Sequence, residues 1–326
     1  MHISYSREST YLRCPFSHYL SYIKKLTPKK PARPLHFGSD FHKLLELRGN
    51  KKELNEAIKA MREAYYDMPP KFQEELGETY IEDLKEIFKD YNKVYKDTPL
   101  PDVTEQRFEM KIGSFKGEPV YFVGVIDGLY HIDNKTIIEE HKTFSRKPDM
   151  NTLIMNTQKC LYAKAVQKIH GSLPDAVMWD YIKSTPAKEP IWLEKSQKLS
   201  LAKNDNITPF SWERACKRHG ITSESVISQG KAHYGGNVQN FFFRMTLDFV
   251  PNMVDKIWKD FIYIAKEICR DGETNKTMNV TRDCSWCSFQ PICYTLLTGG
   301  DVKYVIDKDF MAKEEEKKNE EEVIQV

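Results

Sequence analysis

Two short stretches constrain this chain more than any other: Gly124-Val125-Ile126-Asp127-Gly128 and then Ile137-Ile138-Glu139-Glu140-His141-Lys142-Thr143. Each opens on a β-branched apolar run, the pattern of a buried strand. Successive strand side chains point to opposite faces, so Glu140 and Lys142 share one face while Glu139 and His141 point to the other. Asp127 and Glu140 then fall at the tips of two neighbouring strands, with Lys142 one side-chain step beyond. Carboxylates placed like this are costly to bury unless something compensates their charge. A divalent cation between Asp127 and Glu140, with Lys142 aimed at a phosphate or a water, compensates it. A lone Glu-x-Lys on a strand is more often a solvated cross-strand pair, so the weight rests on what accompanies it.

Before these strands the chain reads as helical. Ser4 caps a short helix ending near Pro15, and a second helical stretch passes through Tyr19, Tyr22 and Ile23. Ser39 or Asp40 can cap a helix on which His42 lies one turn past Gly38. From Lys51 to Lys96 apolar residues recur at helical spacing, with Pro69-Pro70 dividing two helices. Pro99 to Pro101 ends this part. Thr104–Ile112, Val120–Ile126 and Thr136–Thr143 then read as an antiparallel meander, with a turn over Gly113–Gly117. Met150–His170 reads as one helix, on which Gln158 and Tyr162 are four apart and lie side by side. Ala176–Ile182 returns as a strand, which makes an α/β core. Residues 185–240 look irregular, with one helix around Trp212–Arg218, and are expected to form a lid or insertion. An extended segment over Asn240–Phe249 and a strong helix over Met253–Arg270 follow.

No apolar run approaches the ~20 residues of a membrane span, and the first residues have no signal-peptide core, so a cytoplasmic location is the expectation. Net charge is only +2, but residues 1–33 hold seven Lys/Arg against one Glu, a basic face able to meet phosphate. The charged run over 307–326 is expected to be a solvated helix or disordered. Seven cysteines, an odd number without a secretion signal, argue against a disulfide framework. Cys284, Cys287 and Cys293 have the spacing of a metal centre, since thiolates that close bind one ion or cluster. Three ligands are one short, and Cys14, followed by a proline as Cys293 is preceded by one at Pro291, is the natural fourth.

Taken together these residues resemble the PD-(D/E)XK nuclease superfamily, and within it the RecB-type nucleases with an iron–sulfur cluster, of the AddB nuclease-domain and CRISPR-associated exonuclease kind. The likeness runs from Ser4 to Cys293: Gly38 and His42, then Gly124 to Gly128, Glu140-x-Lys142 with Thr143, and Gln158-x-x-x-Tyr162, with one cysteine before this core and three after it. The resemblance implies an α/β, restriction-endonuclease-like core, a mixed central sheet flanked by helices. It implies one nuclease domain over 1–306, with a helical part at 39–98, sheet core at 102–184, insertion at 185–240 and C-terminal helix and cysteine cluster at 250–298. An iron–sulfur cluster would join the N- and C-terminal parts.

It further implies metal-dependent phosphodiester hydrolysis on DNA, single-stranded or at ends. His42, Asp127, Glu140 and the backbone carbonyl of His141 would hold Mg²⁺ or Mn²⁺. Lys142 would orient the attacking water or stabilise charge, and Gln158 and Tyr162 would hold the DNA backbone or the lysine. A [4Fe–4S] cluster on Cys14, Cys284, Cys287 and Cys293 would be structural, and Zn²⁺ there is the alternative. No helicase motor is present, so a helicase or a CRISPR or recombination protein is a possible partner. The rival readings are a non-catalytic DNA-binding subunit of nuclease fold and a redox protein using its cluster for electron transfer.

Overall fold

The computed structural model describes residues 1–30, 32–52, 54–313 and 323–325. Two tight turns set its sheet. Lys116 and Gly117 have φ of 51° and 86°, and Asp133 and Asn134 have 50° and 61°. Two consecutive positive φ values are the hairpin geometry whose twist matches that of antiparallel strands. These turns join β1 (Val103–Phe115), β2 (Glu118–Ile132) and β3 (Lys135–Phe144) into the expected meander. The first turn is shorter than the sequence suggests: Gly113 lies inside β1, at a register shift. β4 (Ala176–Lys183) pairs parallel to β3, and β5 (Phe242–Asp248) antiparallel to β4, which makes the sheet mixed.

The β2–β3 ladder runs from Ile132 opposite Lys135 to Gly128 opposite Glu139 and ends there. Further along β2, His2 and Ile3 pair in parallel with Tyr121 and Phe122. Between these two ladders the sheet forks. Asp127 and Glu140 are therefore not at the ends of their strands, as the sequence implied, but one step beyond the end of their mutual ladder.

Helices cover both faces. On one lie α1 (Arg33–Gly49), α2 (Leu54–Asp67) and α3 (Tyr80–Val94), whose Phe37, Phe41, Leu44, Leu84, Ile87 and Tyr91 bury against Ile182 and Phe242. On the other, α4 (Thr157–His170) and α5 (Pro251–Asp271) bring Leu161, Val166, Phe261 and Ile268 onto Phe122, Ile138 and Val177. Each fully buried Leu, Ile or Phe contributes about 1.5–3 kcal/mol, so these two cores fix which face of every strand looks which way.

Four expectations change. The helix carrying His42 begins at Arg33, not at Ser39 or Asp40, because Pro34 fits a first helical turn, where its missing N–H is not needed. Asp40 is inside that helix and accepts a hydrogen bond from the Tyr80 hydroxyl at 2.6 Å. The single helix over Met150–His170 is two, Met150–Ile154 and α4, because Asp149 and Asn156 each cap a fresh start. Residues 185–240 are not irregular. Helices Pro209–Arg218 and Glu224–Tyr234 and a small hairpin close over their own core of Leu199, Ile207, Trp212, Ala215 and Tyr234. The second helix was hidden by its polar composition. Finally, the run from 307 is ordered at its start: Phe310–Ala312 pairs with Leu26–Pro28, and Phe310 is buried among Phe16, Phe289 and Ile292. Ile324–Gln325 adds an edge strand to β1, while residues 314–322 and 326 of the expected tail lie outside the described residues.

Candidate active site

The first piece of the site is α1, held close to β3 by a small residue. A Cβ on Gly38 would sit 3.3 Å from Thr143 Oγ1. One turn on, the same helix face presents His42, whose Nδ1 is 3.6 Å from Asp127 Oδ1. Gly124 serves the other face, since a Cβ there would fall 2.7 Å from the Phe108 ring and 3.2 Å from that of Tyr162. The glycine lets α4 settle over the strands.

The fork supplies the second piece. Where the ladder has ended, the backbone N–H of His141 donates to Asp127 Oδ2 at 2.8 Å, so a side-chain oxygen replaces a strand carbonyl. This ties β2 to β3 while the strands splay. Glu140 is fully buried on the α4 side, and Lys142 Nζ donates to its Oε2 at 3.1 Å. The other oxygen, Glu140 Oε1, is buried without a partner among the described residues. Burial, reinforced by the Asp127 carboxylate and only partly offset by Lys142, pushes Glu140 up to about 7. Burial opposes the charge on Lys142 too, but Glu140 and Asp127 outweigh it and raise its ammonium above the usual value. A second positive charge beside Asp127 and the orphaned oxygen relieves what Lys142 alone does not.

Tyr162 lies nine-tenths buried over this site and is hydrogen-bonded to Gln158. Burial, then Glu140, raises its phenol, so it is a neutral donor at any working pH. The expected set of His42, Asp127, Glu140, Lys142, Gln158 and Tyr162 is thus gathered at one place. The His141 ring points to the opposite face from Glu140 and Lys142, as strand alternation requires, and packs edge-on against the His42 ring with centroids 5.7 Å apart.

One acid was missed. Glu105 is in β1 between Thr104 and Gln106, which pair with Gly128 and Ile126 on either side of Asp127, and it has φ of 49°. Its Oε1 is 3.8 Å from His42 Nδ1, and Glu105, His42 and Asp127 place ligand atoms within 4.8 Å of one another. A glutamate held at positive φ inside a strand is strained, but nothing in the local sequence announces that backbone, so only the assembled sheet shows it. These donors, one nitrogen and carboxylate oxygens, suit Mn²⁺ or Mg²⁺.

The four cysteines come together at the far end of the chain. Cys14, Cys284, Cys287 and Cys293 line one cavity of about 50 Å³. Burial first, and then the neighbouring thiols, push Cys293 up to about 11. Four thiols on one cavity can give up their protons to a cation that binds among them, since the thiolate is the metal ligand. Cys160 and Cys216 are simply buried, and Cys269 is half-buried near Met1.

A family model described as the PD-(D/E)XK nuclease superfamily matches residues 2–294, a span that takes in both the fork and the cysteines. No curated protein matches the chain. Among solved structures, one titled "Crystal structure of SSO0001" is similar over 78% of this chain and 84% of that chain, with 11% identity and a TM-score of 0.29. That score is too low to argue from.

Proposed function

We propose, given that this chain belongs to the PD-(D/E)XK nuclease superfamily, that it is a metal-dependent deoxyribonuclease acting on single strands or ends. The observation that carries this reading is Glu140: a wholly buried carboxylate with one oxygen bound to Lys142 and the other without a partner, beside Asp127 and His42. His42, Asp127, Glu140 and the carbonyl of His141, with Glu105 added, would hold Mg²⁺ or Mn²⁺. When bound, such an ion lowers the pKa of a water and offsets charge on the phosphate. The protein's own part is positional. Lys142, one-third exposed, reaches from Glu140 toward solvent and can hold the attacking water or an anionic phosphate oxygen. Tyr162 and Gln158 fix the lysine's surroundings from α4. His141 keeps Asp127 aimed through its backbone N–H.

The cysteines would hold a [4Fe–4S] cluster that staples the N-terminal helices to the C-terminal segment. Zn²⁺ in a closed tetrahedral site on the same four thiolates is the alternative. Colour decides the point, because the iron–sulfur protein is brown. A helicase, recombination or CRISPR protein remains a candidate partner, and the chain's own location is open: among the described residues no helix is long and apolar enough to cross a membrane.

The test is degradation of end-labelled linear single-stranded DNA beside closed circular DNA, with Mg²⁺ or Mn²⁺, by wild type and Lys142→Ala. Loss of the linear substrate alone, abolished by the substitution while colour and fold persist, is the expected result. Cutting of the circle would make it an endonuclease. Cleavage of neither by intact brown protein would favour a non-catalytic DNA-binding subunit.

A further inference from the structure

The active face of the sheet continues past Lys142. Paired neighbours in β3 and β4 place Lys142 beside Tyr181 and Phe144 beside Lys183. From Glu140 to this level is four residues of strand, about 13 Å, roughly the rise of four stacked nucleotides. Three lysines gather here. Lys183 lies over the Phe241 ring at 4.4 Å and donates to Asn206 Oδ1 of the 185–240 subdomain, while Lys147 lies over the Phe243 ring at 5.2 Å. The backbone of Lys188 is tied to the same Asn206 by an N–H···O bond of 2.8 Å. Among the described residues none of the three has a carboxylate within ion-pair distance, unlike Lys59, Lys96 and Lys256 elsewhere on the surface. Burial, with repulsion from Lys147 and Lys188, lowers the Lys183 ammonium below its usual value. Rings and an asparagine hold like charges together with no anion of the protein's own.

From this we infer that Lys147, Lys183 and Lys188 form a phosphate-binding edge that grips the substrate's single strand several nucleotides from the cleavage point, with the 185–240 subdomain as its outer wall. The inference rests on the nuclease reading for the identity of the strand. Three like charges without a counter-charge concentrate an anion, and a strand with one phosphate over Lys142 brings further phosphates along the sheet to them. A single strand is favoured over a duplex by the segment that follows Lys147. Met150, Ile154 and Met155 are 50%, 46% and 68% exposed there, an apolar ledge on which unpaired bases can rest while their phosphates face the lysines. This also gives the insertion a task that its own closed core does not explain.

The measurement is equilibrium binding of a fluorescein-labelled single-stranded oligodeoxynucleotide in EDTA, where no ion supports turnover. The full chain would be compared as wild type, as Lys147→Gln/Lys183→Gln/Lys188→Gln, and as Lys59→Gln/Lys96→Gln/Lys256→Gln, which removes the same charge from elsewhere. The first variant should weaken binding about tenfold or more and lower the slope of log K against log salt by about 2, at about 0.7 for each phosphate no longer neutralised. The second should move neither much. Equal constants and slopes for the two variants would overturn the edge, whether or not the wild type cleaves DNA. A duplex bound with the same dependence on these lysines would overturn the assignment to a single strand. Binding that depends on the lysines, from a protein that cleaves nothing when Mn²⁺ is supplied, would leave the edge standing and count against the nuclease reading alone.

Discussion

Among the described residues two groups of histidine and carboxylates pack within 4.8 Å, His42–Glu105–Asp127 and Glu139–His141–Asp180, and only the first is fit for a cation. They meet at His141, whose backbone N–H holds Asp127 and whose ring belongs to the second group while packing edge-on against His42. In the second group every member is buried, and the fold supplies its counter-charges. Arg244 Nη2 lies 3.1 Å from Asp180 and 3.2 Å from Glu139, Tyr91 donates to Asp180 at 2.5 Å, and Tyr130 donates to Glu139 at 3.2 Å. Burial opposes the charge on the His141 ring, but Glu139 and Asp180 overcome it and raise it to about 9. Two acids face two bases, so charge balances inside the group, even though Glu139 Oε1, His141 Nδ1, Asp180 Oδ1 and Arg244 Nε make no hydrogen bond among the described residues. The first group is part-exposed, has no arginine within ion-pair distance of its acids among the described residues, and adjoins an oxygen of Glu140 that has no partner among them. The donor set does not separate a structural network from a metal centre. Charge balance and access do.

The contrast can be broken most forcefully at Asp180. Asp180→Ala leaves two buried positive charges, Arg244 and the His141 imidazolium, with Glu139 as their single acid, and should cost about 3–5 kcal/mol in urea unfolding. A change under about 1 kcal/mol would mean the buried group is not a charge-balanced network. At the open group the outcome reverses. Asp127→Asn keeps an oxygen for the His141 N–H, so unfolding should barely move while DNA cleavage falls at least about 10³-fold, several kcal/mol of barrier. Retained cleavage would remove Asp127 from the centre. Glu105→Gln sharpens the comparison further: weaker ion binding by about 10–100-fold, read by titration of Mn²⁺ against protein fluorescence, with stability kept. Unaltered affinity would make Glu105 a bystander.

The smallest effect is in pH. Glu140 titrates higher folded than its ordinary value of 4.5, at about 7. The metal-free fold therefore binds the extra proton between these values and loses stability as pH rises through that window. An ion needs the carboxylate ionised, so its stabilisation should grow with pH up to about 7, by at most about 1.4 kcal/mol per unit. Melting with and without Mn²⁺ at pH 6 and pH 8 measures this. A larger gain at pH 6 would contradict the assignment of Glu140 as ligand.

Local pattern determined a good deal of this protein. Strand alternation alone separated Glu140 and Lys142 from Glu139 and His141, because a two-residue period is a property of the extended backbone. Helical spacing put Gln158 beside Tyr162, and the clustered cysteines announced a shared centre. These signals lie within a few residues of one another, and the resemblance to a known superfamily linked them. What the sequence left open required contacts between distant segments. Residues 185–240 look loop-like because their small core joins Leu199, Trp212 and Tyr234 across gaps that no periodicity spans. Glu105 reads as an ordinary strand acid until the sheet sets it beside Asp127. The choice between two chemically similar groups fell to tertiary structure, because charge compensation depends on what arrives through space: Arg244 from β5 reached the buried group, and among the described residues no arginine pairs with the acids of the fork.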